Sequence, residues 1–229
     1  MPTLKLKTLY RLFIFLPLLT LTSCFDVIED VTLSEDGSGS FAFTVNMSQS
    51  SAKLAAALLV DSINGHKVPS KEEINNRIKE VVTIAEKTQG IKDVKTQQDF
   101  TNFVFSFRCS FTDLNALNTL MEELKKKYQA EHYVGSVTKH FEYDKKAKIY
   151  MRNGNYSIGE AYGQLRNVDK NVLNKASFVS ISRFNSEVAH VTNVKATIAP
   201  TKKAVMLRVN AADLIKGTQN ITNKIILTK

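Results

Sequence analysis

The stretch from Phe103 to Phe111 constrains the fold more than any other part of the chain. Phe103, Phe105, Phe107, Cys109 and Phe111 alternate with Val104, Ser106, Arg108 and Ser110. A period of two places the five apolar side chains on one face of a strand. An aromatic face of that size needs a cover, so the chain must build a sheet with helices or a second layer packed on it. Cys109 falls on this face and reads as a buried structural thiol.

The same alternation recurs upstream. Phe25 to Leu33 reads as a strand, Ser34 to Ser40 as a polar turn around Asp36-Gly37, and Phe41, Phe43, Val45 and Met47 as the apolar face of a returning strand. Asp36-Gly37 lacks the spaced oxygen ligands of a calcium loop and reads as a turn. Ile91 to Thr96 then precedes Phe103 to Phe111 as a second hairpin. At an offset of 63, Ile28, Asp30 and Val31 match Ile91, Asp93 and Val94; at 62, Phe41, Phe43, Val45 and Met47 match Phe103, Phe105, Phe107 and Cys109. Each hairpin runs into a helix, with Ala55 and Leu58 matching Leu117 and Leu120 at the same offset, which makes a hairpin–helix repeat.

Three helices are expected in this half. Ser50 and Ser51 cap a segment whose middle, Leu54 to Val60, is apolar on every side, so it should lie against either the protein's own core or a ligand groove. Leu54, Leu58 and Leu59 are its candidate ligand-facing residues. Ser70 with Glu73 forms a capping box before a helix carrying Ile74, Ile78, Val81, Val82 and Ala85 on one stripe. Asp113 starts a third, with Leu114, Leu117, Leu120, Met121, Leu124 and Tyr128 on one side and Lys125 to Lys127 at the end favoured by the helix dipole. Beyond residue 135 strands dominate: Ser136 to Tyr143 and Lys148 to Met151 as a hairpin, then Phe178 to Phe184, Val188 to Val194, Ala196 to Ile198, Val205 to Val209 and Ile221 to Leu227. Gly154 to Gly163 reads as irregular; Val168 to Asn174 and Ala211 to Lys216 read as short helical turns. The fold class is α+β, with antiparallel sheets built from hairpins and helices packed on one face. Residues 24–135 hold the repeat and residues 136–229 are mainly β, packed together as one globular unit.

The N-terminus sets the cellular address. Lys5, Lys7 and Arg11 stand without an acid in Met1 to Arg11, and Leu12 to Leu21 is almost purely apolar. That is the order of a secretory signal, and ten residues at about 1.5 Å each are too short to cross a ~30 Å hydrocarbon core. Leu21-Thr22-Ser23-Cys24 resembles the bacterial lipobox, which implies cleavage before Cys24 and a diacylglycerol on its thiol. Phe25 stands where an aspartate would retain an enterobacterial lipoprotein at the inner membrane. The resemblance therefore implies the periplasmic face of the outer membrane. Val31, Leu33, Asp36-Gly37-Ser38-Gly39 and Phe41-Ala42-Phe43 behind that cysteine resemble the start of lipoproteins common in Bacteroidetes, and more distantly LppM-type lipoprotein domains. The tail, with Phe184, Val188, Asn193, Pro200, Val205, Leu207, Val209 and Leu214, fits the same strand pattern. The likeness implies a fold and an anchored state and brings no catalytic residue.

The chain holds 31 basic and 22 acidic residues, and loss of the three basic residues of the signal leaves a surplus of six. That balance suits an anionic partner, and an exported chain without a zinc-finger, RNP or helix-turn-helix pattern is not expected to meet nucleic acid. His66, His132, His140 and His190 show no metal-ligand spacing, and no nucleophile elbow, P-loop or dinucleotide fingerprint is present. No catalytic residue, metal or cofactor is assigned. Asp61-Ser62-Ile63 resembles the O-glycosylation triplet of Bacteroidetes exported proteins, although Ser62 reads as a helix-end residue. Two functional readings follow. The first is a non-enzymatic lipoprotein that binds an anionic or apolar ligand, or an envelope protein, at the membrane face. The second is an envelope-acting hydrolase whose active site is dispersed along the chain.

Overall fold

Alternation from Phe25 onward produces β1 (Phe25–Leu33) and β2 (Gly39–Asn46), paired antiparallel from Asp26 opposite Asn46 to Leu33 opposite Gly39. The computed structural model describes residues 25–63, 65–128, 139–154 and 159–228; the segment expected to be a signal and Cys24 lie outside them. Asp36 closes the hairpin turn by accepting from the amide and hydroxyl of Ser38 at 2.9 and 2.7 Å, and Gly37 takes the left-handed φ of +89°. The second hairpin joins β3 (Ser62–Ile63) and β4 (His66–Lys67). The third joins β5 (Ile91–Asp99) and β6 (Val104–Phe111). Phe103 is the last residue of the connecting turn, with a left-handed φ of +55°, and the strand begins one residue later than the alternation predicts.

The two repeat hairpins meet edge to edge through β2 and β6, with Phe41 opposite Cys109, Phe43 opposite Phe107 and Val45 opposite Phe105. A shift of 62 residues turns the pair Phe43–Phe107 into Phe105–Val45, so the repeat is a local two-fold about this strand pair. The helical halves of the repeat diverge. α1 (Ser51–Ala57) buries no residue, whereas α3 (Leu114–Lys127) buries Leu114, Ala116, Leu117, Asn118 and Leu120. Between them runs α2 (Lys71–Lys87), started by the predicted capping box of Ser70 and Glu73. Asp113 starts α3 by accepting from the amides of Asn115 and Ala116 at 2.8 and 3.0 Å.

The C-terminal half adds β7 (Phe141–Asp144) and β8 (Ile149–Arg152), α4 (Gly159–Gln164) and α5 (Asn167–Asn174), β9 (Ala176–Phe184), β10 (Val188–Val191), β11 (Thr197–Ile198), β12 (Ala204–Asn210), α6 (Ala211–Lys216) and β13 (Asn223–Leu227). α4 occupies part of the segment expected to be irregular, and the start of the expected Ser136 strand falls outside the described residues. The main sheet runs β11-β12-β9-β1-β2-β6-β5, and a second sheet runs β10-β13-β8-β7. Pairing is antiparallel except between β1 and β9, which are parallel from Phe25–Ala176 to Leu33–Phe184. Hairpin reasoning does not anticipate that pair, because the connection is 142 residues long by the numbering of its ends, Leu33 and Ala176.

The core lies between one face of the main sheet and a cover made of α3 and the second sheet. Val31, Leu33, Phe41, Cys109, Phe111, Phe184 and Val205 meet Leu117, Leu120, Phe141, Tyr150, Ile225 and Leu227 there. Ring edges lock the layers together: Phe41 with Phe141 at 6.3 Å and Tyr150 with Phe184 at 5.3 Å between centroids. At Gly39 a Cβ would stand 2.0 Å from the Thr32 carbonyl oxygen and 2.7 Å from the Phe111 ring, so only glycine lets β1 and the Phe111 ring close over this corner. Cys109 is buried as expected, and desolvation pushes its thiol up to about 12.

A candidate apolar groove

The cover is incomplete. Between α3, the sheet and α6 a groove of about 520 Å³ opens, and it shares Phe41 and Leu120 with the core. Phe41 and Phe43 of β2, Phe107 of β6 and Phe178 of β9 form its sheet wall. Leu120, Met121, Leu124 and Tyr128 form the helical wall, Val81 of α2 stands beside them, and Leu214 with Ile215 of α6 closes the other side. Strand alternation sends every second side chain of three strands into this space, and the 3.6-residue period of α3 returns Leu120, Met121 and Leu124 to it.

Local capping positions the third wall. Asn210 accepts from the amides of Ala212 and Asp213 at 2.9 and 3.3 Å, and Gly217, at a φ of +74°, ends α6 after six residues. Asn118 fixes the first wall to the second sheet: its amide donates to the Phe141 carbonyl at 2.8 Å, and its oxygen accepts from the backbone amides of His140 and Phe141 at 2.9 and 3.1 Å. Three bonds from one buried side chain thus tie α3 to the start of β7 beside the groove.

Glu29, Lys125, His140 and the Tyr128 hydroxyl, which donates to the Arg77 carbonyl at 3.4 Å, bring charge or polarity to the lining. Glu29 is buried at the floor and chelated by Arg152, with Nε 2.7 Å from Oε1 and Nη2 2.6 Å from Oε2; the Ser180 hydroxyl donates to Oε1 at 3.0 Å. The Arg152 guanidinium lies 4.5 Å over the Phe141 ring and also donates to the His140 and Asn153 carbonyls. Lys125 pairs with Glu122 at 2.8 Å, and the His140 ring stands 3.7 Å from that carboxylate. Burial first, then the nearby Arg152 charge, lowers the His140 pKa to about 4, against the pull of Glu122 and Glu29. The imidazole is therefore neutral at pH 7. Each lining charge is met by an opposite charge, so the groove presents an apolar surface and no net charge, which is the character of a site for hydrocarbon.

The residues singled out in sequence lie elsewhere. The helix expected over Leu54 to Val60 ends at Ala57, and the expectation that it is buried is corrected: Leu59 is 85% exposed, Val60 48%, and Leu54 and Leu58 are half-buried. Two helical turns rich in alanine offer too little apolar area to dock, and α2 and α3 already occupy the sheet. None of Leu54, Leu58 and Leu59 lines the groove. Phe43, Phe107, Leu120, Met121 and Leu124 were legible as apolar-face residues; that Phe43 stays 36% exposed was not. A second depression of about 550 Å³ is lined by Glu142 to Lys146, Ile149 and Met151 of the β7–β8 hairpin and has no converging set of buried groups. Among the described residues no group of three or more His, Cys, Asp or Glu side chains could hold a metal ion, and no described helix is long and apolar enough to cross a membrane. Of the four histidines, His132 lies outside the described residues.

No protein-family model matches the chain, and no curated protein matches it. Among solved structures the chain is similar to the NMR structure of the folded domain of the LppM protein from Mycobacterium tuberculosis, at 11% identity and a TM-score of 0.42 over 90% of this chain and 92% of that one.

Proposed function

We propose that this chain is a non-enzymatic envelope lipoprotein, anchored through Cys24 at the periplasmic face of the outer membrane, whose domain holds an acyl chain or similar apolar ligand in the groove. The observation that carries the reading is the groove wall: ten of the lining side chains are aromatic or aliphatic apart from Tyr128, and the three polar ones are Glu29, Lys125 and His140. Such a wall favours hydrocarbon, at about 0.8 kcal/mol for each buried CH₂. The anchored state rests on the lipobox-like Leu21-Thr22-Ser23-Cys24. Titration with a fluorescent fatty acid tests the groove. Phe43→Glu, at a side chain already part-exposed, should keep the fold and weaken probe binding at least roughly tenfold, since it sets a charge in an apolar wall. Unchanged affinity in that variant would remove the groove as the site. Cys24→Ala should release the protein into the soluble fraction; retention after carbonate washing would remove the anchor.

A further inference from the structure

The seven-stranded sheet has two distinct ends. β1 begins at one of them, with Phe25 opposite Ala176 and Asp26 opposite Asn46. Phe25 directly follows Cys24 in sequence, so the proposed anchor on Cys24 joins the described domain through this end of β1. β2 finishes here and leads into α1 and the β3–β4 hairpin, and α5 stops at Asn174, two residues before β9 starts. The hairpin and α5 touch: His66 Nε2 is 3.4 Å from Asp169 Oδ2, and Gly65 lies beside the Arg166 guanidinium.

Among the described residues, five of the nine large exposed apolar side chains lie on the turn after α1, on this hairpin and on α5. Leu59 is 85% exposed, Val60 48% and Ile63 41%, while Val168 and Val172, one helical turn apart on α5, are 43% and 46% exposed. Residues 51–73 and 162–175 carry six basic and four acidic side chains, a surplus that favours an anionic surface. The rim of the groove is carried at the same end: α3 starts after β6 at the far end and returns with Leu124 and Tyr128, and α6 follows the last residue of β12.

We propose that this end of the domain is a membrane-contacting surface, with Leu59, Val60, Ile63, Val168 and Val172 entering the headgroup layer of a lipid leaflet. The apolar side chains take the interfacial position of a peripheral protein, and the basic surplus meets lipid phosphates. A diacylglycerol tethers the chain firmly without fixing how the domain faces the leaflet, and this surface sets that orientation. It also turns the groove rim toward the lipids that would fill it. The orientation rests on the anchored reading, whereas the contact itself rests on the exposed side chains.

The chain contains no tryptophan, so a single introduced indole reports its own surroundings. The full chain carrying Leu59→Trp is mixed with vesicles of phosphatidylcholine and phosphatidylglycerol, with and without brominated acyl chains. The control is Lys146→Trp, in the exposed β7–β8 turn beside Gly37 and thus at the opposite end of the sheet. The proposal expects a blue shift and bromine quenching at position 59 and neither at position 146. Adding Ile63→Glu and Val172→Glu should reduce quenching at position 59 roughly tenfold at fixed lipid, as expected when apolar contact area is lost. Equal quenching at both positions, no quenching at position 59, or quenching unaffected by the two glutamates overturns the proposal. A protein partner in place of lipid would give the second result. Fatty-acid binding by Phe43→Glu and fractionation of Cys24→Ala are read separately, so a failed groove, a failed anchor and a failed contact surface are told apart.

Discussion

Arg152 and Glu29 are 123 residues apart and form a two-pronged ion pair, 2.7 and 2.6 Å, that ties the second sheet to the main sheet through the middle of the core. Both side chains are 4% exposed, and Ser180 supplies a further bond. Removing one partner leaves a buried charge without its counterion. Arg152→Met should therefore cost about 3–5 kcal/mol in urea denaturation, whereas Glu29→Met with Arg152→Met should recover most of that loss. A double variant no more stable than the single would show that the pair is not the source of the effect.

The aromatic strand β6 is not buried evenly along its length. Phe111 is 3% exposed, and Phe105 is half-buried near the end of the sheet, edge-on to Phe100 at 5.1 Å. The large loss falls at Phe111: Phe111→Ala should cost about 3–5 kcal/mol by cavity formation. Phe105→Ala should cost about 1 kcal/mol, in proportion to the smaller area it removes from water. Denaturant melts of the two variants in parallel check the gradient.

Leu59 provides the opposite case. With 85% of its surface exposed, Leu59→Asp should move stability by less than about 0.5 kcal/mol, the usual range at a surface position. An unfolded variant would mean that the turn after α1 packs on something essential to the fold.

His140 makes stability depend on pH in a defined window. Its folded-state pKa is lowered from 6.5 to about 4, so between those values the unfolded chain binds the proton more readily than the native one. Stability is then fully present above pH 6.5 and falls as pH drops toward 4, by up to about 3 kcal/mol. Asp36, Glu73 and Asp99, whose pKa values lie below the usual carboxylate range because of their hydrogen bonds, lose their contributions only at lower pH. Melting curves of His140→Asn between pH 7 and 5 should be flatter than those of the unsubstituted chain.

What the residues alone determined is what is settled over a few positions. The Asp36 turn, the Ser70–Glu73 box and the Asp113 cap each join groups two or three residues apart, and the alternation of Phe41 to Met47 and Phe105 to Phe111 states which side chains share a face. Local geometry and period are enough for these, and they carry the α+β class. Burial obeys a different rule, because it depends on which surface arrives from elsewhere in the chain. Leu120 and Leu58 occupy matching places in the repeat, yet Leu120 is fully buried and Leu58 is not. Phe43 alternates as regularly as Phe41 and both line the groove, yet Phe43 is 36% exposed and Phe41 2%, since the cover that closes over Phe41 does not reach Phe43. The parallel β1–β9 pair, the Glu29–Arg152 contact and the gathering of Leu59, Ile63 and Val172 at the end where β1 begins all join segments far apart in sequence. They were decided only when the two halves packed, since closing such distances is favourable only once the apolar area of both is buried together.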